Sequence, residues 1–194
     1  MTMFKFYLDT DALNRLSGLN GKKLEELKMR FNSIDAELIV THVQVDERYS
    51  PKDGQKYQEE VDKAIETLRS KGIQIKVENT KITIAGISRC GYSSLSSLDI
   101  EKIYDVLDKE INVCEKANKN PKDPLNVKRD AIIAVSSVGY SFLITTDKCL
   151  CDSFNRVIEE KKELVEKVTT PKAKLATQSS EAVADRILES FSNK

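Results

Sequence analysis

"FKFYLDTDAL", residues 4–13, joins an apolar run to two aspartates, Asp9 and Asp11, set two positions apart. Residues 4–9 read as a short buried strand. "TDALNRLSG" after it should be helical, with Gly18 as a natural stop. A strand that passes through aspartate into a helix is where open α/β sheets keep their chemistry. Asp9 is therefore a candidate metal ligand, a candidate phosphoryl-accepting nucleophile, or a helix N-cap.

The same alternation runs on downstream. "KKLEELKMRF" (22–31) places Leu24, Leu27 and Phe31 on one helical face, and "AELIVT" (36–41) is a second strand. "HVQVDERY" (42–49) fits a short helix. Residues 52–71 form an amphipathic helix (Tyr57, Val61, Ile65, Leu68) that stops at Gly72. "IQIKVENTKITIAGI" (73–87) alternates apolar and polar residues on both sides of "ENTK", which predicts a β-hairpin. Then come a helix over 98–117, a Pro/Asn loop "NKNPKDPLN", and a helix "VKRDAIIAVSSVG" with Asp130 at its opening. The strand "YSFLITT" and a further helix from Asp147 follow.

Strands separated by helices of this length imply an α/β chain with a central, mainly parallel sheet and helices on both faces. The expected organisation is one domain over 1–168 with a β-hairpin insertion at about 73–97. Residues 169–194 follow as a linker and a C-terminal amphipathic helix carrying Val183, Ile187 and Phe191 in register.

Thirty-one basic and 31 acidic residues cancel, so no global field draws in nucleic acid, and a polyanion must be held by a local patch or a metal. No stretch approaches the roughly 20 apolar residues of a membrane span, and "MTMFKFYLDT" reads as a strand rather than a signal peptide. Cys90, Cys114, Cys149 and Cys151 make no CxxC pair, and the single histidine is far from the C-x-C. They read as reduced, unligated thiols, with a cytoplasmic location expected.

In a parallel sheet the carboxyl ends of the strands share one edge. Asp9, Glu47, Asp130 and Asp147 fall at or near it. Carboxylates crowded in a partly dry cleft repel one another, and a divalent cation relieves this. Oxygen ligands without histidine suit Mg²⁺ or Mn²⁺.

These stretches resemble the PIN domain family of metal-dependent ribonucleases, which are PilT N-terminus-like. "YLDTDAL" is similar to the family's first-strand motif, with Asp9 at its aspartate. "VTHVQVDER" resembles the second, Thr41 followed six positions later by Glu47. "RDAIIAVSS" resembles the third through Asp130, and "FLITTD" the fourth through Asp147 with Thr145 and Thr146 beside it. The resemblance spans most of residues 4–155. It implies a three-layer α/β/α fold in which those four acids are catalytic metal ligands, and RNA is the substrate. It leaves open a homodimer, an antitoxin-type protein partner, and a toxin or an RNA-processing role. Asp11 stands where the family often has Asn, and the chain is longer than compact members.

Each residue also has a plainer reading. Asp11 is a first-turn helix acid with an accessory role at most. Thr145 is preferred to Thr146 as a site hydroxyl because strand residues alternate faces. Lys122, Lys128 and Arg129, just before Asp130, are a solvated run or a grip on a phosphate backbone.

Two other functions compete with the nuclease. One is a PIN-like scaffold that binds RNA or protein without cutting. The other is a haloacid-dehalogenase-like phosphatase using Asp9 and Asp11, disfavoured because Ala12 and Leu13 stand where that motif has Gly and Thr.

Overall fold

Side-chain alternation along the first strand sorts the whole core. Phe6 and Leu8 face one way and Tyr7 the other, and all three are buried, as expected of a parallel strand covered on both faces. A computed structural model describes residues 4–45, 54–82, 84, 87, 98–138, 141–164 and 172–191. Five strands, β1 (Phe4–Leu8), β2 (Ala36–Thr41), β3 (Ile75–Glu78), β4 (Ser141–Thr145) and β5 (Lys172–Leu175), make one sheet in the order β3-β2-β1-β4-β5. Every neighbouring pair is parallel, with Leu8 opposite Ile144 where β1 meets β4.

Eight α-helices occur among the described residues. On the Phe6 side lie α1 (Thr10–Ser17), α2 (Gly21–Ser33), α4 (Gly54–Ser70) and α8 (Ser180–Ser190). On the Tyr7 side lie α5 (Leu98–Lys116), α6 (Pro124–Ser136) and α7 (Lys148–Glu160). The one-turn α3 (His42–Val45) follows β2. The architecture is α/β with an all-parallel central sheet, compatible with three α/β/α layers. No described helix is long and apolar enough to cross a membrane.

Helix ends follow local chemistry. Gly72, at φ +83°, takes the left-handed conformation that stops α4, a position at which a side chain would be strained. Pro124 opens α6 behind Asp123, whose Oδ1 accepts the Leu125 N–H at 2.8 Å. The loop expected over 118–126 therefore ends three residues early, and Asp130 stands in the middle of α6 rather than at its opening.

Two other expectations change. The first half of the predicted hairpin is β3, paired parallel to β2 through Leu38↔Ile75 and Val40↔Val77, and among the described residues it makes no pairing with its own continuation. Alternating polarity marked a strand correctly but could not name its partner. Residues 83, 85 and 86 of the second half, and all of 88–97, lie outside the described residues. The polar stretch expected as a linker contains β5, which extends the sheet beside β4. Its alternating lysines, Lys172 and Lys174, disguise an edge strand as a tail, and they blunt that edge against pairing with another chain.

The last helix docks on its own domain. Val183, Ala184 and Ile187 are buried with the α1 and α2 residues. The Phe191 ring lies 5.3 Å from Phe4, 5.2 Å from Phe6 and 5.9 Å from Phe31. An amphipathic helix this short gains its stability from such packing rather than from propensity. Phe191→Ala should lower stability by about 3 kcal/mol, the lower end for a buried phenylalanine because the ring sits at the end of α8 and is still 9% exposed. Urea unfolding with size-exclusion chromatography tests this, with the midpoint falling and the mass unchanged.

Candidate functional site

The chain leaves β1 for α1 on one face of the sheet and leaves β4 for α7 on the other. Adjacent parallel strands whose connections part in this way open a crevice at their carboxyl ends. Asp9 and Asp147 stand on its two sides, as the N-caps of α1 and α7.

Asp9 is 5% exposed and held by three donors. Its Oδ1 accepts the Ala12 N–H at 2.6 Å. Its Oδ2 accepts the Thr145 hydroxyl and, at 3.2 Å, the Thr146 N–H. The Thr145 hydroxyl also accepts the Asp147 N–H at 2.9 Å, so one buried threonine links both caps. The Thr146 hydroxyl goes instead to Asp11 Oδ2 at 2.6 Å, and Asp11 further pairs with Arg15 at 3.3 Å. Burial pushes the Asp9 carboxyl up to about 7. The three donors oppose that shift, and the charge of Asp130 reinforces it.

Asp130 arrives from α6. Burial lifts its carboxyl above the ordinary range against the pull of Lys122, with Asp147 and Glu115 adding repulsion. The Lys122 ammonium donates to Asp130 Oδ2 at 2.7 Å and also to Asp147 Oδ2. The opposite wall carries an acid that sequence reasoning missed. Glu115, in the last turn of α5, is 5% exposed and accepts the Lys122 N–H and the Asn118 side-chain amide, each at 3.2 Å. Its signal was present in the helix period. Ile103, Leu107 and Ile111 mark the buried stripe at intervals of four, and Glu115 is the next step.

Cys114 and Cys149 are joined in a disulfide, with Cα atoms 5.7 Å apart, while Cys151 is free and buried. This overturns the expectation of reduced, unligated thiols at Cys114 and Cys149; Cys151 is free as expected, and Cys90 lies outside the described residues. A separation of 35 residues carries no signal in sequence, and only the packing of α5 beside α7 brings the pair within bonding range. Ligand atoms of Glu115, Asp147 and Cys149 all lie within 4.8 Å of one another. The Cys149 sulfur is committed to the disulfide, so the two carboxylates are what remains for a cation.

Glu115 and Asp147 border a cleft of about 590 Å³. Among the described residues Asp9, Asp11, Glu60, Glu115, Asp130 and Asp147 line it, against Lys122 and Arg129 as cations. Three of the four acids expected at the site thus share it, and Glu47 lies outside the described residues. The turn that precedes Glu47 is firmly placed. Buried Gln44 accepts the Thr41 N–H at 2.8 Å and donates to the Leu8 carbonyl at 2.9 Å, tying the ends of β2 and β1 together. Of the expected basic grip, Arg129 is buried at the cleft and Lys122 is engaged by the acids. Lys128 is exposed and neighbours Asp108 of α5, away from the cleft. No family model, curated protein or solved structure matches the chain.

Two outcomes follow from this geometry. The folded protein holds the Asp9 proton more tightly than the unfolded chain does. In the absence of metal, stability should therefore fall as pH rises from about 4 to about 7. Asp9→Asn should flatten part of that slope, so its stability relative to the parent should be greater at pH 8 than at pH 5 when unfolding is measured in EDTA. Reducing the Cys114–Cys149 bridge should cost about 4 kcal/mol on the chain-entropy account for a loop of this size. Peptide mapping of unreduced protein should recover the linked pair, and the unfolding midpoint should drop with reductant.

Proposed function

We propose that the chain is a PIN-like ribonuclease that hydrolyses RNA phosphodiesters with Mg²⁺ or Mn²⁺ held by Asp9, Asp130 and Asp147, with Glu47 as the fourth ligand. The observation that carries this reading is the ammonium of Lys122 seated between Asp130 and Asp147, a positive charge standing where a cleft lined by six carboxylates among the described residues needs one. The donor set fits a hard cation, because its available ligand atoms are carboxylate oxygens and the nearby sulfur is already bonded. Bound there, the cation would supply Lewis acidity and a water acidified enough to attack phosphorus at neutral pH.

The protein's own groups have separable tasks. Thr145 and the Thr146 N–H hold Asp9 Oδ2 in one orientation. The N-terminal amides of α1 and α7 are satisfied by Asp9 and Asp147, so both carboxylates are fixed before any ligand arrives. Arg129, buried at the cleft wall with one long 3.4 Å bond to Asn126, is the group best placed to meet a phosphate oxygen. Asp11 is turned toward Thr146 and Arg15, which suits an accessory acid better than a phosphatase's general acid.

Cleavage of mixed RNA should require Mg²⁺ or Mn²⁺ and stop with EDTA. Asp9→Asn should lose more than the roughly 100-fold that removal of a supporting outer residue costs, and Thr145→Val should lose about 10- to 100-fold. Hydrolysis of p-nitrophenyl phosphate that depends equally on Asp9 and Asp11 would move the assignment to the phosphatase class. Metal binding without cleavage of either substrate would leave the non-cutting scaffold.

A further inference from the structure

Lys122 lies between α5 and α6, and three acids from three elements hold it. Its ammonium bridges Asp130 of α6 and Asp147 at the cap of α7, and its backbone N–H rests on Glu115 of α5. The lysine side chain is 36% exposed, whereas those of Asp130 and Asp147 are 17% and 15% exposed. The side chain is thus partly open to solvent even with its ammonium engaged by both acids, an arrangement that can swing out without moving the backbone. Among the described residues the other cation lining the cleft is Arg129, whose side-chain bond goes to Asn126 and not to these acids.

We propose that Lys122 is the built-in counter-ion of this site: its ammonium holds the cation position between Asp130 and Asp147 in the metal-free protein, and a divalent cation must displace it to bind. The inference rests on reading the cleft as a metal site. An ammonium and a divalent cation cannot both contact the same two carboxylate oxygens, because they would repel at close range in a poorly hydrated cleft. Lys122 therefore keeps the acids from repelling one another before metal arrives, and weakens metal binding by the strength of its own two ion pairs.

The wild-type protein reports this directly. Lys122 should be slow to react with an acetylating reagent when metal-free, and its labelling, read by peptide mass spectrometry, should rise when Mn²⁺ is added. In parallel, Lys122→Met should bind Mn²⁺ about tenfold or more tightly than wild type by calorimetry, since binding no longer breaks two ion pairs. The same variant should melt lower without metal and recover with it. Labelling of Lys122 that stays flat or falls while Mn²⁺ binds, or an unchanged affinity in the variant, overturns the proposal. If neither protein binds Mn²⁺, the metal-site reading itself has failed, which is a different result.

Discussion

A carboxylate buried at the carboxyl end of the central strand constrains everything around it. Asp9 follows β1 directly, in the crevice where the sheet's connections diverge, and burial there opposes its ionised form. The fold answers with donors from two directions, the first turn of α1 and the strand end of β4. The Thr145 and Thr146 donors reach Asp9 only because β1 and β4 are adjacent and in register, with Leu8 opposite Ile144. Displacing β4 by one residue would turn Thr145 to the other face and leave Asp9 buried with a single side-chain cap. The position of β4 is thus tied to the chemistry of β1.

Local patterns in the sequence described local structure well. The apolar runs at 4–9, 36–41 and 140–146 and the helical stripes between them are β1, β2, β4 and the helices that cover them. That Asp9, Asp130 and Asp147 would border one cleft was legible as well, since strand ends and an aspartate beside an apolar helical run are local features. What escaped was pairing over distance. The segment "IQIKVE" was recognised as a strand but assigned to a hairpin, because alternation is the same whichever partner the strand finds. β5 was hidden by two lysines on a sheet edge, and the Cys114–Cys149 bond joins residues whose separation says nothing of their proximity. Glu115 was overlooked for a different reason: a glutamate near a helix end is ordinarily a solvated one, and its place on the buried stripe was outweighed by its charge.

The disulfide and Lys122 act on the same part of the molecule in opposite senses. The bond fastens the end of α5 to the start of α7 and so holds Glu115 beside Asp147. Two acids pressed together in this way raise the local cost of negative charge, and Asp130 adds a third. Lys122 then supplies the positive charge that makes the arrangement tolerable. A covalent constraint can keep like charges close only if something compensates them. The bridged lysine is therefore a consequence of the packing around it as much as a feature of the loop that carries it.

Capping and ligand binding are not rival roles for Asp9 and Asp147. Each aspartate gives Oδ1 to the amide three residues on, Ala12 in one case and Leu150 in the other. Each turns Oδ2 toward the other elements of the site, Thr145 and Thr146 for Asp9 and Lys122 for Asp147. An ionised carboxylate offers about four acceptor positions. Asp9 uses three on donors and Asp147 uses two, so both keep acceptor capacity after the helix is satisfied. The cap fixes the rotamer, and with one oxygen pinned to the backbone the other is aimed by the fold instead of by a flexible side chain. Reading a strand-end aspartate as either a cap or a ligand poses a false choice in this sheet: the cap is what gives the remaining oxygen a defined direction.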